Sequence, residues 1–211
     1  MTTSWNSTRL GRWCIGIAWA MAALSFVVWF GAYLISRSSN KVALEGEAAF
    51  NRKDYAAALP KLQQAADGGD STAEFYLGCM YLYGHLVAKD PAKASVYFLQ
   101  AAQKDIKEAQ FDLAVIYDDP DSGLLNQKDA AVWYRQAAER GMREAQYNLG
   151  IILYNGSGVK ADAAQGYEWI ALAANQGLPE GISMREQLRR KLPTDQVARG
   201  EDLVKKFHPR S

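Results

Sequence analysis

The sequence predicts an all-α protein: an N-terminal transmembrane helix, an α-solenoid of antiparallel helical hairpins, and a C-terminal helical cap. Two observations predict this architecture. Residues 13–35 form an uncharged apolar run, and residues 71–178 divide into three successive blocks of 36 residues that align without a gap. Each block holds two stretches of helical apolar periodicity separated by a polar or glycine-containing turn, which is the pattern of a helical hairpin. Residues 36–42 are predicted to link the two parts.

The apolar run at residues 13–35 is long enough to cross a bilayer. As a helix its 23 residues would span roughly 34 Å, against a hydrocarbon core of about 30 Å. Trp13 near one end, with Trp29 and Tyr33 near the other, fits the aromatic belts of a membrane span. A cleaved signal peptide is the alternative, but the A-x-A motif at 18–20 lies inside the apolar run and not after it. The sequence therefore favours an uncleaved signal-anchor.

The distribution of charged residues bears on the orientation of the predicted membrane span and on the class of partner that the protein can bind. Arg9 and Arg12 precede the apolar run while Arg37 and Lys41 follow it, so the basic residues barely discriminate the two orientations. We therefore expect the commoner arrangement for a single N-terminal span, with residues 1–12 in the cytoplasm and the soluble part across the membrane. Beyond the run, 22 basic and 23 acidic residues leave no net basic excess, which argues against nucleic acid as a partner.

The three 36-residue blocks share residue types at fixed places. Small residues recur at places 3, 8, 31 and 32, leucine at place 7, and a large aromatic at place 27. Small residues permit helices to approach closely, and the aromatics Tyr97, Trp133 and Trp169 are predicted to fill the space between neighbouring hairpins. Because a single hairpin cannot bury its own apolar face, stability must come from the stacking of hairpins.

This pattern resembles the Sel-like repeat, a 36-residue relative of the tetratricopeptide repeat. The segments that carry the resemblance most completely are Ala-Gln-Tyr-Asn-Leu-Gly at 145–150, Tyr-Asn-Gly-Ser-Gly-Val at 154–159, Asp162, Trp169 and Ala-Ala-Asn-Gln-Gly at 173–177. The second block departs from the pattern at its turn, where Asp-Asp-Pro-Asp-Ser-Gly occupies 118–123. The resemblance implies a membrane-anchored bacterial member of the tetratricopeptide superfamily.

Segments on either side of the blocks are also predicted to be helical. Residues 43–70 look like a tetratricopeptide hairpin with a short turn. Pro60 falls inside the second helix of this hairpin, where the missing N–H should cost roughly 3 kcal/mol or produce a kink. Residues 179–211 are predicted to hold two capping helices and a tail, with Pro179 in the first turn of one helix and Thr194 as the N-cap of the other.

Catalytic and metal-binding motifs are not apparent in the sequence. His85 and His208 have no ligand-type residue at metal-binding spacing and are predicted to be solvated. Cys79 has no adjacent base and is predicted to be a structural thiol. Gly156 and Gly158 lie where the repeat needs a left-handed turn, and no phosphate-loop motif accompanies them. The sequence therefore predicts a protein that is not an enzyme and uses no cofactor or metal.

The predicted binding surface is the concave face, lined by the first helix of each hairpin. In tetratricopeptide arrays, places 2, 5, 6, 9, 12 and 13 line this face, and the resemblance carries these places onto this sequence. The selected residues are Tyr76, Leu82, Tyr83, Glu108, Asp112, Asp118, Asp119, Asn148, Tyr154 and Asn155. This acidic, amide and aromatic strip suits an extended or helical segment with basic and apolar side chains. The alternative is that these residues form ordinary solvated helix faces.

The resemblance implies a protein–protein interaction scaffold or adaptor of the bacterial envelope, held at the inner membrane with its repeats in the periplasm. A narrower alternative is an immunity protein that neutralises a secreted antibacterial effector, such as a phospholipase, in the periplasm. An envelope-polymer enzyme using Asp112, Asp118 and Asp119 would lack a paired general acid and base. Small-x-x-x-small pairs within residues 13–35 would permit weak self-association, although alanine-rich spans produce such pairs by chance.

Overall fold

The computed structural model describes residues 41–210, which form a series of short α-helices joined by tight turns. The helices are α1 (41–51), α2 (Tyr55–Asp67), α3 (Ser71–Tyr83), α4 (Pro91–Gln103), α5 (Lys107–Asp118), α6 (Gln127–Glu139), α7 (Arg143–Asn155), α8 (Ala163–Asn175), α9 (Pro179–Lys191) and α10 (Thr194–Lys206). None of these helices is long and apolar enough to cross a membrane. The predicted span at 13–35, with residues 1–12 and most of the linker, lies outside the described residues.

The helices stack as successive hairpins in a solenoid. Helices α3–α4, α5–α6 and α7–α8 pair within the three blocks, and the second helix of each hairpin packs on the first helix of the next. Helix α9 continues this order by packing on α8. Helix α10 also packs mainly on α8 and barely touches α9. The last two helices therefore cover the end of the stack together instead of forming another repeat hairpin.

Acidic or amide N-caps start the second helix of each hairpin at the same place of the 36-residue period. The side chains of Asp54, Asp90, Asn126 and Asp162 accept hydrogen bonds from backbone N–H groups in the first turns of α2, α4, α6 and α8. These caps satisfy N–H groups that the helix leaves unpaired. Because Asp54 lies 36 residues before Asp90, helix α2 already follows the period of the three blocks.

One detail of the flanking helices differs from the sequence prediction. Helix α10 begins at Thr194, so Pro193 occupies the N-cap position and no side chain caps the helix. The prediction that Thr194 is the cap is wrong by one residue. Helix α2 runs continuously over 13 residues through Pro60, whose ring lies on the exposed side. There, water can hydrogen-bond the backbone carbonyl that the proline leaves without a partner.

Side chains at place 28 of the period are buried more deeply than the aromatics at place 27. Leu62, Phe98, Tyr134 and Ile170 at place 28 are 0–2% exposed. Among the place 27 aromatics only Trp169 is buried, whereas Tyr97 and Trp133 are half-buried. Tyr97 stacks on Tyr81 with ring centroids 5.7 Å apart. A helix turns by about 100° per residue, so the two places point in different directions, and of these two only place 28 is buried in all three repeats.

Glycines in the turn of the third block adopt the backbone conformation that the sequence predicts. Gly156 and Gly158 have φ of 75° and 68°, a left-handed conformation that glycine adopts without the clash of a Cβ atom. At Gly158 a Cβ would also lie 2.6 Å from the backbone nitrogen of Lys128 in α6. This turn therefore packs against the backbone of the preceding hairpin as well as reversing the chain.

Leu86, in the turn between α3 and α4, has a left-handed φ of 63° although 62% of its surface is exposed. A leucine in this conformation destabilises the fold by roughly 1 kcal/mol or more. Because its side chain is exposed, burial of that side chain offsets little of this destabilisation. We expect Leu86→Gly to raise the free energy of unfolding by about 1 kcal/mol in urea titrations. Leu86→Ala keeps a Cβ and should not stabilise. A loss of stability in Leu86→Gly would show that the leucine side chain makes a necessary contact.

Candidate binding groove

The ten predicted binding residues lie on the first helices α3, α5 and α7 or immediately after α5. We call this surface the first-helix face. Its three helices occupy equivalent positions in consecutive repeats, so their side chains at equal places form rows along the stack. The side chains on it differ widely in burial and in the partners they already have.

Helix α3 contributes Tyr76, Leu82 and Tyr83, of which Tyr83 offers the most surface. Tyr76 is half-buried, and its hydroxyl donates a hydrogen bond to Glu47 Oε1 in α1 at 3.1 Å. Leu82 packs partly against the core. Tyr83 is 61% exposed. The α3 part of the first-helix face is therefore dominated by the exposed ring of Tyr83, whose centroid lies 5.8 Å from that of His85.

His85 is not a solvated histidine, contrary to the sequence prediction. Its ring stacks on Tyr55 with centroids 4.2 Å apart and an angle of 7° between the planes. Phe50 lies edge-on at 6.1 Å. These three rings come from α1, α2 and the α3–α4 turn, and spacing along the sequence does not show that they meet. His208 is exposed, as predicted.

Asp112, in the middle of α5, is a half-buried carboxylate without a basic partner. Burial, together with the nearby charge of Glu108, raises the pKa of Asp112 to about 7. Among residues 41–210 no Lys, Arg or His nitrogen lies within 4 Å of it. Glu108 is exposed and has only its neighbour Lys107, at 4.0 Å. Desolvation without a paired charge is what favours the protonated acid.

Cys79 is 7% exposed and belongs to the core cluster between α3, α4 and α5. Burial, and to a smaller extent the charge of Asp112, raises the pKa of the Cys79 thiol to about 12. A thiol with such a pKa stays protonated at neutral pH and is a poor nucleophile. The prediction of a structural thiol is confirmed.

The unusual turn of the second block contains the remaining acidic residues. Asp119 accepts a hydrogen bond from the backbone N–H of Asp121 at 2.9 Å and so caps a 3₁₀ turn at Pro120–Ser122. Asp118 accepts a weak hydrogen bond from Gln127 Nε2 at 3.5 Å. Asp119 therefore has a structural role that Asp112 lacks.

Helix α7 contributes Asn148, Tyr154 and Asn155. The side chain of Asn148 lies near the hydroxyl of buried Tyr134, whose pKa is raised chiefly by burial. The ring of Tyr154 faces Lys191 of the C-terminal cap, with the ammonium nitrogen 5.4 Å from the ring centroid. Asn155 is exposed at the end of the helix. The cap therefore already contacts part of the first-helix face at this end.

Cavities in the described part of the chain lie mostly away from this face. One of about 500 Å³ lies between α8 and α10, and its lining includes Tyr154, Asp162, Asp195 and Arg199. Arg199 Nη2 and Asp162 Oδ2 are 3.3 Å apart there. Of these residues only Tyr154 belongs to the predicted set. Within residues 41–210 no three His, Cys, Asp or Glu side chains converge as a metal site would require.

Comparison with known proteins identifies the family. The family model described as Sel1 repeat matches residues 71–106, 107–142 and 143–178, the same three blocks that the alignment within the chain defines. The chain belongs to the Sel1 repeat family. Sel1 repeats are generally scaffolds for protein–protein interaction, and the family fold is not a catalytic one. No curated protein matches the chain.

Two solved structures are similar to this Sel1 repeat protein. The crystal structure of c5321, a protective antigen present in uropathogenic Escherichia coli strains, is 32% identical with a TM-score of 0.65, covering 72% of this chain and 32% of that one. A Sel1 repeat protein from Oxalobacter formigenes is 25% identical with a TM-score of 0.66, covering 78% and 70%. This chain thus spans about a third of the length of c5321.

Proposed function

We propose that this Sel1 repeat protein is a membrane-tethered scaffold that binds a segment of another protein on its first-helix face. The partner segment carries basic and apolar side chains. The observation that supports this proposal is the carboxylate of Asp112, unpaired within residues 41–210, which lies near the exposed Glu108 on α5. It also lies near the exposed ring of Tyr83, whose pKa is raised by burial and by the Asp112 charge. Elsewhere, carboxylates such as Glu45, Glu139 and Asp202 have basic partners within 3 Å.

A lysine or arginine from the partner would meet two complementary groups on this face. The Asp112 carboxylate would gain the paired charge that it lacks, which makes a charge-assisted hydrogen bond in a partly dry site. The Tyr83 ring would offer its negative face to the same cation. The apolar side chains of the partner would then pack on exposed rings and stems along α3 and α5.

Selection of random 12-residue peptides displayed on phage against the full chain tests this proposal. We expect the bound peptides to be enriched in Lys or Arg next to apolar residues. The double variant Glu108→Gln/Asp112→Asn should bind the selected peptides about tenfold or more weakly, since a buried charge pair loses one partner. Asp129→Asn, on a second helix, is the matched control and should bind like the wild-type protein.

Two outcomes of the selection would contradict the proposal in different ways. Failure to enrich any peptide would argue against peptide binding as the function. Peptides that bind equally well to Glu108→Gln/Asp112→Asn would show that binding occurs elsewhere on the molecule.

The tether is the second part of the proposal, and it rests on the apolar run at residues 13–35. With five residues between this run and α1, the repeats would lie close to the membrane surface. Fusions of alkaline phosphatase and of a fluorescent protein after Ser211 test both tether and orientation. Phosphatase activity alone, in the membrane fraction, would support repeats in the periplasm of a bacterial inner-membrane protein. Fluorescence alone would place them in the cytoplasm, and recovery in the soluble fraction would contradict the tether.

An immunity protein against a secreted effector would use the same tether and the same face, so it is a special case of this scaffold. The effector would then be the partner with the basic segment. Co-expression with an effector encoded by a neighbouring gene separates the two roles. Protection of the cells that is lost in Glu108→Gln/Asp112→Asn would favour immunity, and absence of protection would favour a scaffold.

A further inference from the structure

Each of the three repeats has a buried polar side chain at place 4, which is a carboxylate in the first repeat and an amide in the other two. Glu74, Gln110 and Gln146 occupy this place and are 4%, 0% and 0% exposed. Each accepts a hydrogen bond from the side chain at place 34 of its own repeat, namely Lys104 at 2.6 Å, Arg140 at 3.4 Å and Gln176 at 2.8 Å. The three repeats therefore share an internal polar pair, but only the first repeat uses a carboxylate.

The two glutamines also tie each repeat to the one before it. Gln110 Nε2 donates to the carbonyl oxygen of Ala102 at the end of α4, at 3.2 Å. Gln146 Nε2 donates to the equivalent carbonyl of Ala138 at the end of α6, at 3.1 Å. Each bond joins the first helix of one hairpin to the second helix of the preceding hairpin, inside the core. In a solenoid such interfaces between neighbours supply much of the stability.

Glu74 cannot make this bond as a carboxylate. By the period, its counterpart on α2 is the carbonyl of Ala66, and an ionised carboxylate has no hydrogen to donate to it. Glu74 Oε2 is buried and has no hydrogen-bond partner among the described residues. A buried acceptor left without a partner is unfavourable, and the ion pair with Lys104 satisfies only the other oxygen.

We propose that the joint between the α1–α2 hairpin and the first repeat is the place where the solenoid opens. At this joint Glu74 replaces the glutamine that ties each later repeat to its neighbour. The α1–α2 hairpin then separates as a unit, while the α4–α5 and α6–α7 joints, which have the glutamine tie, stay closed.

Opening of this joint would change the first-helix face directly. The α1–α2 hairpin supplies Glu47, which holds the Tyr76 hydroxyl, and Phe50, whose ring centroid lies 4.9 Å from that of Tyr76. It also supplies Tyr55, on which His85 stacks. Separation would free Tyr76 and His85 at one end of the face. This consequence for binding rests on the proposed function, whereas the opening itself does not.

Hydrogen exchange of the full chain in a mild detergent, followed by mass spectrometry, tests the joint without any partner. Glu74→Gln provides the missing donor, and Lys104 keeps the carbonyl of Gly69 at 3.0 Å and contact with water. We expect amides of α1 and α2 to exchange about three- to tenfold more slowly in this variant. Amides of α7 and α8 serve as the internal reference and should not change.

The reverse substitution at the next joint is the matched control. Gln110→Glu places the same carboxylate between α4 and α5, and amides from α1 to α4 should then exchange faster than those of α7 and α8. Unchanged or faster exchange of α1 and α2 in Glu74→Gln would overturn the proposal. So would a Gln110→Glu variant whose α1 to α4 amides exchange as in the wild-type protein. Neither result depends on peptide binding, so failure of the binding proposal would leave this test intact.

Discussion

Gly150→Ala is expected to lower the free energy of unfolding by about 2 kcal/mol, measured by urea denaturation. A Cβ at this position in α7 would lie 2.6 Å from Ile170 Cγ1, 2.9 Å from the carbonyl oxygen of Gly166 and 3.0 Å from the backbone nitrogen of Ile170. Two of these atoms are backbone, so α7 and α8 would have to move apart. Overpacking of this kind costs about 3 kcal/mol, which outweighs the gain of about 1 kcal/mol from replacing glycine in a helix.

The same place in the other two repeats provides matched controls. At Gly78 in α3 the three atoms nearest to a Cβ would all belong to the Phe98 side chain, at 2.6–3.0 Å, so Gly78→Ala should destabilise less than Gly150→Ala. The second repeat already has Ala114 at this place, and it is fully buried. Ala114→Gly should cost about 1 kcal/mol through helix propensity and about 1 kcal/mol more through loss of a buried methyl group. A Gly150→Ala protein as stable as the wild type would show that the α7–α8 interface adapts to the methyl group.

Asp112→Asn is expected to raise the free energy of unfolding by about 2 kcal/mol at pH 8 and by almost nothing at pH 4. The folded protein raises the pKa of Asp112 from 3.8 to about 7, which favours the protonated acid in the folded state. A shift of three pKa units corresponds to about 4 kcal/mol, and roughly half of this remains after the residual exposure of the side chain is allowed for. Asparagine has the shape of the acid and never ionises.

The sign of the pH dependence follows from the direction of this shift. Asp112 binds its proton more tightly in the folded state, so its stabilising contribution is complete below pH 4 and is lost as the pH rises towards 7. The difference in stability between Asp112→Asn and the wild type should therefore grow between pH 4 and 7 and then level off. Asp121→Asn, on the exposed 3₁₀ turn, is the control for removal of a carboxylate from the surface. A constant difference across this range would mean that Asp112 is not desolvated.

A carboxylate that destabilises the folded chain at neutral pH is easier to understand if it serves another purpose. Binding residues commonly cost stability because they are arranged for a partner and not for the fold. A cation bound at Asp112 would lower the pKa of this side chain again and recover part of the cost. Stability and binding measured on the same Asp112→Asn protein should thus change in opposite directions.

Much of the fold could be predicted from the sequence because the same pattern of residue types occurs in three successive blocks. Alignment of three blocks predicts two helices in each block, and the glycines at 156 and 158 predict a left-handed turn that the structure confirms. The position of the deep core was harder to predict. Place 27 holds the larger aromatics, whereas the side chains at place 28 point into the centre. The types of residue at two adjacent places do not show which of them faces the core.

Alignment could select the binding residues, but it could not predict how buried each one is or which side chains it already contacts. Tyr83 and Tyr154 look alike in sequence, yet most of Tyr83 is exposed while Lys191 of the cap faces Tyr154. Glu108 and Asp112 lie four residues apart on one helix, but only Asp112 is half-buried. The sequence also does not show that His85 meets Tyr55, because these residues come from different hairpins.

By itself the sequence determined the period, the register of the three Sel1 repeats and the set of first helices. Local spacing is sufficient for these features, since helical periodicity and turn glycines act over a few residues. Only the tertiary structure decided which carboxylate lacks a partner, which glycine admits no Cβ and which joint lacks its glutamine tie. These features depend on contacts between different helices, such as Gln110 with Ala102, eight residues apart, and Gly150 with Ile170, twenty residues apart, which stacking brings within a few ångströms.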